Sequence, residues 1–154
     1  QYLVLARVAL TNTAWSVLLP SIVSPYGVYL ARIYAAAAVP DDVIEAARTD
    51  GASELRTFWS VALPMMRPGL VTVFLFQFVA IWNNFMLPYI MLSDDRKFPL
   101  TVGLYSLLAQ GADQPALYSQ VITGALFSIV PLVALFLSLQ RYWRVDLLSG
   151  AVKG

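Results

Sequence analysis

The sequence predicts an all-α protein of the membrane, a polytopic helix bundle that carries one cytoplasmic helix-turn-helix insert. Three observations lead there. The 154 residues are 59% hydrophobic and 12% charged, with a mean hydropathy of +0.69, a composition far from that of a soluble domain. The charges cluster: residues 8–31, 68–93 and 114–140 contain none, and each run exceeds the roughly 20 residues that carry a helix across a bilayer. Between the first two runs the chain keeps one charged and amphipathic stretch, EAARTDGASELRTFWSVALP, from Glu45 to Pro64.

Taken in order, residues 1–10 are apolar around Arg7 and too short to span. They are read as the end of a truncated span, and the chain as the C-terminal part of a longer subunit, because neither the basic start nor the small-residue cleavage site of a signal peptide is visible. A turn at Thr11 to Thr13 leads to a first full span, 14–38, then the insert, 40–66. A second span, 68–92, and a third, 117–140, flank a loop at 93–116, and a tail occupies 141–154. Prolines mark every span: Pro20 and Pro25 in the first, Pro88 near the far end of the second, Pro131 in the middle of the third. Kinks are expected at Pro25 and Pro131. Such breaks persist in lipid where neighbouring helices satisfy the freed carbonyls, which suits a packed bundle better than a lone anchor. Gly124 and Ser128 form a small-xxx-small pair for close helix packing.

Lysine and arginine set the orientation. The insert carries Arg48, Arg56 and Arg67, with Arg32 at its border, and the tail carries Arg141, Arg144 and Lys153. The 93–116 loop holds only Arg96 and Lys97. The positive-inside rule therefore puts insert and tail in the cytoplasm and the loop outside.

Several chemistries are excluded or disfavoured. The chain has no Cys and no His, so a thiolate metal site, a disulfide framework and the usual nucleophile–base pairs are unavailable, and no catalytic residue is assigned. Asp41, Asp42 and Glu45 are read as helix-start chemistry rather than an oxygen cage for a metal. No phosphate-binding loop or cofactor motif occurs, and Lys97 and Lys153, the two lysines, lack that context. A net charge of +1 leaves no nucleic-acid footprint. The spans contain no titratable group of the kind a proton-driven transporter uses. Gln77, Asn83 and Asn84 remain there as polar candidates for lining a path, against a plainer role in hydrogen bonding between helices. Any energy would have to come from a partner.

Within the insert, Pro40-Asp41-Asp42 is a helix start, with Asp42 expected as N-cap and Glu45 as its capping-box partner. Gly51 supplies a turn and Ser53 caps a second helix. There Leu55, Phe58, Trp59, Ala62, Leu63 and Met66 recur at helical spacing on one face, while Glu54, Arg56, Thr57 and Ser60 fall on the others. That face either packs under the protein's own spans or fits a groove on a cytoplasmic partner.

Glu45-Ala46-Ala47, then Gly51 after three residues, then Val61-Ala62-Leu63-Pro64 after nine more, resembles the EAA loop of ABC importer permeases, with Val61 for the usual Ile. Asp50 before Gly51 and Phe58-Trp59 before the Leu-Pro are similar to the sugar-importer branch. Trp82-Asn83-Asn84-Phe85 resembles that branch's W-N-E-F, with Asn84 in place of the acid. Gln140-Arg141-Tyr142 and Gly150-Ala151-Val152-Lys153-Gly154 resemble the terminus of maltose-type permeases, although Arg144, Asp146 and Leu148 depart from the commoner residues. The resemblance implies part of a type I importer transmembrane domain in a bacterial or archaeal plasma membrane. It implies no catalysis of its own, an ATPase dimer, a second permease subunit and an extracytoplasmic solute-binding protein as partners, and a sugar or sugar-like solute. On this resemblance Glu45, Ala46, Ala47, Asp50, Gly51, Leu55, Phe58, Trp59, Leu63 and Pro64 would dock the ATPase, and Gly150, Lys153 and Gly154 would reach it from the tail. A gradient-driven transporter and a structural membrane subunit are the competing readings.

Overall fold

The computed structural model describes residues 2–111 and 115–142, and among them no strand occurs. Among the described residues ten α-helical segments follow one another: α1 (Tyr2–Arg7), α2 (Ala14–Ile22), α3 (Pro25–Ala38), α4 (Asp41–Thr49), α5 (Glu54–Thr57), α6 (Leu63–Met65), α7 (Arg67–Trp82), α8 (Met86–Met91), α9 (Leu100–Gln110) and α10 (Pro115–Leu139). A π-helical turn, Phe58–Ala62, joins α5 to α6, and a 3₁₀ turn, Asp95–Lys97, precedes α9.

Residues 14–38 and 116–139 are each long and apolar enough to cross a membrane. The first of these stretches is not one uninterrupted helix. Val23 is extended, the Ser24 side chain accepts the Gly27 N–H, and Pro25 opens α3, where its missing N–H costs nothing. The kink expected at Pro25 is thus a capped break. Pro20 and Pro131 sit inside α2 and α10, which run on past them. The stretch 68–92 is divided as well, α7 ending at Trp82 and α8 beginning at Met86. A third membrane-length element arises only if Glu54–Met65 and Arg67–Trp82, bent 75° apart, are taken together. Residues 93–116, a loop by hydropathy, contain the apolar α9.

The chain divides into two compact units. One comprises the described residues of Gln1–Val23 and Phe78–Ala134, the other those of Ser24–Gln77 and Leu135–Gly154. In the first, Met91, Leu92, Val102, Pro88 and Ser16 are buried. Its organising residue is Asn12, in the left-handed region at φ 57°. The Asn12 N–H donates to the Met91 carbonyl (2.9 Å), its Oδ1 accepts from the Ser93 and Asp94 N–H groups (3.1 and 3.2 Å), and its carbonyl accepts from Lys97 Nζ (2.8 Å). The turn after α1 and the segment after α8 are therefore clamped together. The small-residue pair also lies here: Leu104 of α9 presses on Gly124, where a Cβ would collide with it, and the Ser128 carbonyl accepts the Trp82 indole N–H at 3.2 Å.

In the second unit Gly69 is buried where Tyr34 of α3 lies across α7, leaving no room for a Cβ. Val73 of α7 lies beside Gly27 of α3. Small residues thus allow close approach of α3 and α7.

Candidate docking site

The insert begins with α4. Pro40 stands at its N-cap in an extended conformation and makes no side-chain cap bond. Asp41 and Asp42 are already helical and complement the positive end of the helix dipole. The capping box expected between Asp42 and Glu45 is absent, because Pro40, with its φ preset near the extended entry, starts the helix earlier than the aspartates suggested. Glu45 is consequently an exposed carboxylate one turn into the helix, with no partner among the described residues.

The C-terminus of α4 explains the spacing of the EAA element. Asp50 is the C-cap and Gly51, at φ 77°, is the following left-handed residue. The Gly51 N–H donates to the Arg48 carbonyl and the Ala52 N–H to the Ala47 carbonyl, both at 3.0 Å. This is the full Schellman pair of bonds. It requires the left-handed residue to lie four positions after the carbonyl that closes the loop, the interval from Ala47 to Gly51. Arg48 also reaches across the turn to Glu54 (Nη2 to Oε1 2.9 Å, Nε to Oε1 2.9 Å), an exposed pair worth up to about 1 kcal/mol.

Ser53 caps α5 as expected, its hydroxyl accepting the Arg56 N–H at 3.4 Å. The distribution of faces that follows is not the one the periodicity suggested. Leu55, Phe58 and Trp59 are 73%, 46% and 64% exposed, whereas Thr57, assigned to a polar side, is 3% exposed. Its Oγ1 takes no hydrogen-bond partner. Only the later residues of the apolar set, Ala62, Leu63 and Met66, are half-buried. The apolar face is therefore split into an open ridge and a covered base.

Between them the helix widens into the π turn, where the Leu63 N–H donates to the Phe58 carbonyl five residues back. Pro64 supplies the physical reason. Inside a regular α-helix its ring would press on the carbonyl four residues earlier, that of Ser60, and leave that carbonyl without a donor. A π turn just before the proline relieves both problems. Phe58 and Trp59 sit at its start, edge to face with ring centroids 5.4 Å apart. The Leu-Pro element thus shapes the aromatic ridge.

Elsewhere, Gln77 is half-buried on α7. Asn83 and Asn84 occupy the gap between α7 and α8. The Asn83 amide donates back to the Val79 carbonyl (2.9 Å), Asn84 Oδ1 accepts the Leu87 N–H (3.4 Å), and the Asn84 carbonyl accepts the Thr101 hydroxyl (3.1 Å). Both amides secure a helix break. Phe85 follows and stacks on Tyr89, with Tyr105 edge to face against both. Hydropathy gives no signal for this cluster or for Asn12, since one depends on α9 and the other on contacts roughly eighty residues apart in sequence. Gly150, Lys153 and Gly154 lie outside the described residues.

The sequence matches the family of binding-protein-dependent transport system inner membrane components over residues 3–144. It is 37% identical over 148 residues to the arabinooligosaccharides transport system permease protein AraQ of Halalkalibacterium halodurans, covering 96% of this chain and 52% of that protein. It is 35% identical over 130 residues to the melibiose/raffinose/stachyose import permease protein MelC of Bacillus subtilis, covering 84% and 46% respectively. With the osmoprotective compounds uptake permease protein GgtD of Synechocystis sp. it shares 34% identity over 131 residues, 84% of this chain and 42% of the relative. The chain spans about half the length of the curated relatives it matches. No solved structure matches.

Proposed function

Because the chain belongs to the family of binding-protein-dependent transport system inner membrane components and is a multi-pass membrane protein, we propose that it acts as the permease subunit of an ATP-driven importer. In this reading it works beside a second permease subunit, receives its solute from an extracytoplasmic binding protein, and is driven by a cytoplasmic ATPase dimer. The observation that carries the coupling role is the open ridge of Leu55, Phe58 and Trp59, mounted on a helix whose entry is set by the Gly51 turn. An apolar helix face left exposed, on an insert that also carries Glu45, Arg48 and Glu54, has the character of a helix that docks in a groove.

Nucleotide binding would close the ATPase dimer and carry the docked insert with it, and the 75° bend between Glu54–Met65 and α7 would pass that motion to the membrane part. Such a partner acts by contacting the two states of the bundle differently. Glu45 would pair with a basic group at the rim of the groove, and the absence of a capping bond leaves its carboxylate available for this. The Lys and Arg distribution supports a cytoplasmic insert and tail. The names of the relatives support a sugar or sugar-like solute, with Gln77, Asn83 and Asn84 as candidates for lining its path. Gly150, Lys153 and Gly154 would add a contact with the ATPase from the tail.

The test is co-purification of the full-length subunit with a candidate partner ATPase from the same organism, with ATP turnover assayed in lipid. Wild type should retain the ATPase; Glu45→Lys should lose it, and Gly51→Val should lose it or hydrolyse ATP without transport. Equal behaviour of all three would remove the coupling role and favour a purely structural insert.

A further inference from the structure

Arg67 opens α7 and Arg141 follows α10, so both stand where an apolar helix meets its polar border. In the second unit the side chains of Arg67, Leu70, Val71, Phe74 and Tyr142 line one groove. The α7 residues are spaced i, i+3, i+4 and i+7, a single stripe that begins with a charge and continues apolar. Tyr142 completes the lining, and beside it the Arg141 guanidinium, itself outside the lining, donates to the Tyr142 hydroxyl at 3.2 Å and lies 5.0 Å from the centre of its ring. These two contacts hold Arg141 beside Tyr142.

Two features say what fits. Arg67 and Arg141 are exposed and take no carboxylate partner among the described residues. A guanidinium is matched in geometry and charge to a phosphate group, and the Tyr142 hydroxyl, having accepted from Arg141, still has its own proton to donate. Beyond the charged end the wall offers only Leu70, Val71 and Phe74. Phe74 lies about 10 Å along the helix axis from Arg67, beyond the roughly 5–8 Å of polar interface on each side of the hydrocarbon core. We infer that this groove holds one anionic phospholipid, its phosphodiester between Arg67, Arg141 and the Tyr142 hydroxyl and an acyl chain along Leu70, Val71 and Phe74. A free phosphate would leave the apolar wall unused, and a neutral lipid headgroup would leave the two guanidiniums without net charge compensation.

The site does not depend on the transport reading, and its test does not require the ATPase. The full-length subunit in detergent is titrated with phosphatidylglycerol and with phosphatidylcholine of the same acyl chains, and retained lipid is counted by native mass spectrometry. Wild type should prefer phosphatidylglycerol by on the order of tenfold, Arg67→Gln with Arg141→Gln should bind the two lipids alike, and inorganic phosphate should not displace the bound lipid. A photoreactive benzoylphenylalanine in place of Phe74 should crosslink to lipid. Equal retention of both lipids by wild type overturns the inference without reference to any variant. So do an undiminished preference in the double variant, displacement by phosphate alone, or crosslinking at position 74 to protein only.

Discussion

Gly51 and Asn12 both adopt positive φ, for different reasons, and substitution separates them. Gly51 has nothing within 4 Å of where a Cβ would lie, so its requirement is conformational, and a β-branched residue there costs about 1–2 kcal/mol or more. Gly51→Asn should keep most coupled ATP turnover, since Asn tolerates the left-handed region, while Gly51→Val should lose it. Equal loss in both variants would mean that the position needs absence of bulk rather than a backbone angle. Asn12 is chosen for its side chain as well, because Oδ1 satisfies two backbone N–H groups. Asn12→Gly should still lower the melting temperature of the full-length subunit, by the equivalent of about 1–3 kcal/mol, although Gly suits the backbone. An unchanged melting temperature would show those N–H groups to be satisfied elsewhere. The role of Gly51 is legible from its place in the EAA spacing. That of Asn12 is not, because its partners are roughly eighty residues away.

Helix elements show how a periodic pattern can be right about helix formation and silent about environment. The face from Leu55 to Met66 is helical as the spacing predicts, yet its first half is open and Thr57 is the buried residue. Amphipathicity gives the angle between residues and cannot say which neighbour covers them. If the ridge is a docking surface, Trp59→Ala should weaken ATPase retention by roughly 2 kcal/mol, as for a central aromatic contact, with little change in the melting of the subunit alone. A large drop in melting with intact ATPase retention would assign Trp59 to the subunit's own packing. The π turn gives a second handle. Pro64→Ala removes its cause, so the helix should relax toward regular α geometry and shift Phe58 and Trp59 relative to Leu63. Coupling should fall although Leu55, Phe58 and Trp59 of the ridge are unchanged. Coupling equal to wild type would show that the ridge does not need the π turn.

At the scale of the whole molecule, the membrane assignment and the nature of the energy source belong together. Charge-free runs and the absence of His and Cys argue against a titrating transporter, and the insert explains how energy could enter from outside the chain. If the importer reading holds, full-length subunits reconstituted with an ATPase and a binding protein should take up a labelled sugar with ATP present and no ion gradient. A protonophore should leave that uptake unchanged, and removal of ATP should abolish it. Uptake that follows the gradient and ignores ATP would favour the gradient-driven alternative.

The sequence by itself determined the helical class, the apolar stretches, the turn at Gly51, the Ser53 cap and the family, because each depends on composition or on residues within one or two turns of each other. The break at Ser24 and Pro25 and the start of α4 at Pro40 are local capping geometry that hydropathy does not read; only the tertiary structure decided the clamp around Asn12, the contact of Leu104 with Gly124 and the burial of Thr57 in place of the aromatic ridge. These depend on which of several locally permitted arrangements is covered and which carbonyls find donors. Hydrogen-bond satisfaction and close packing are settled between segments far apart in sequence, and no local pattern records them.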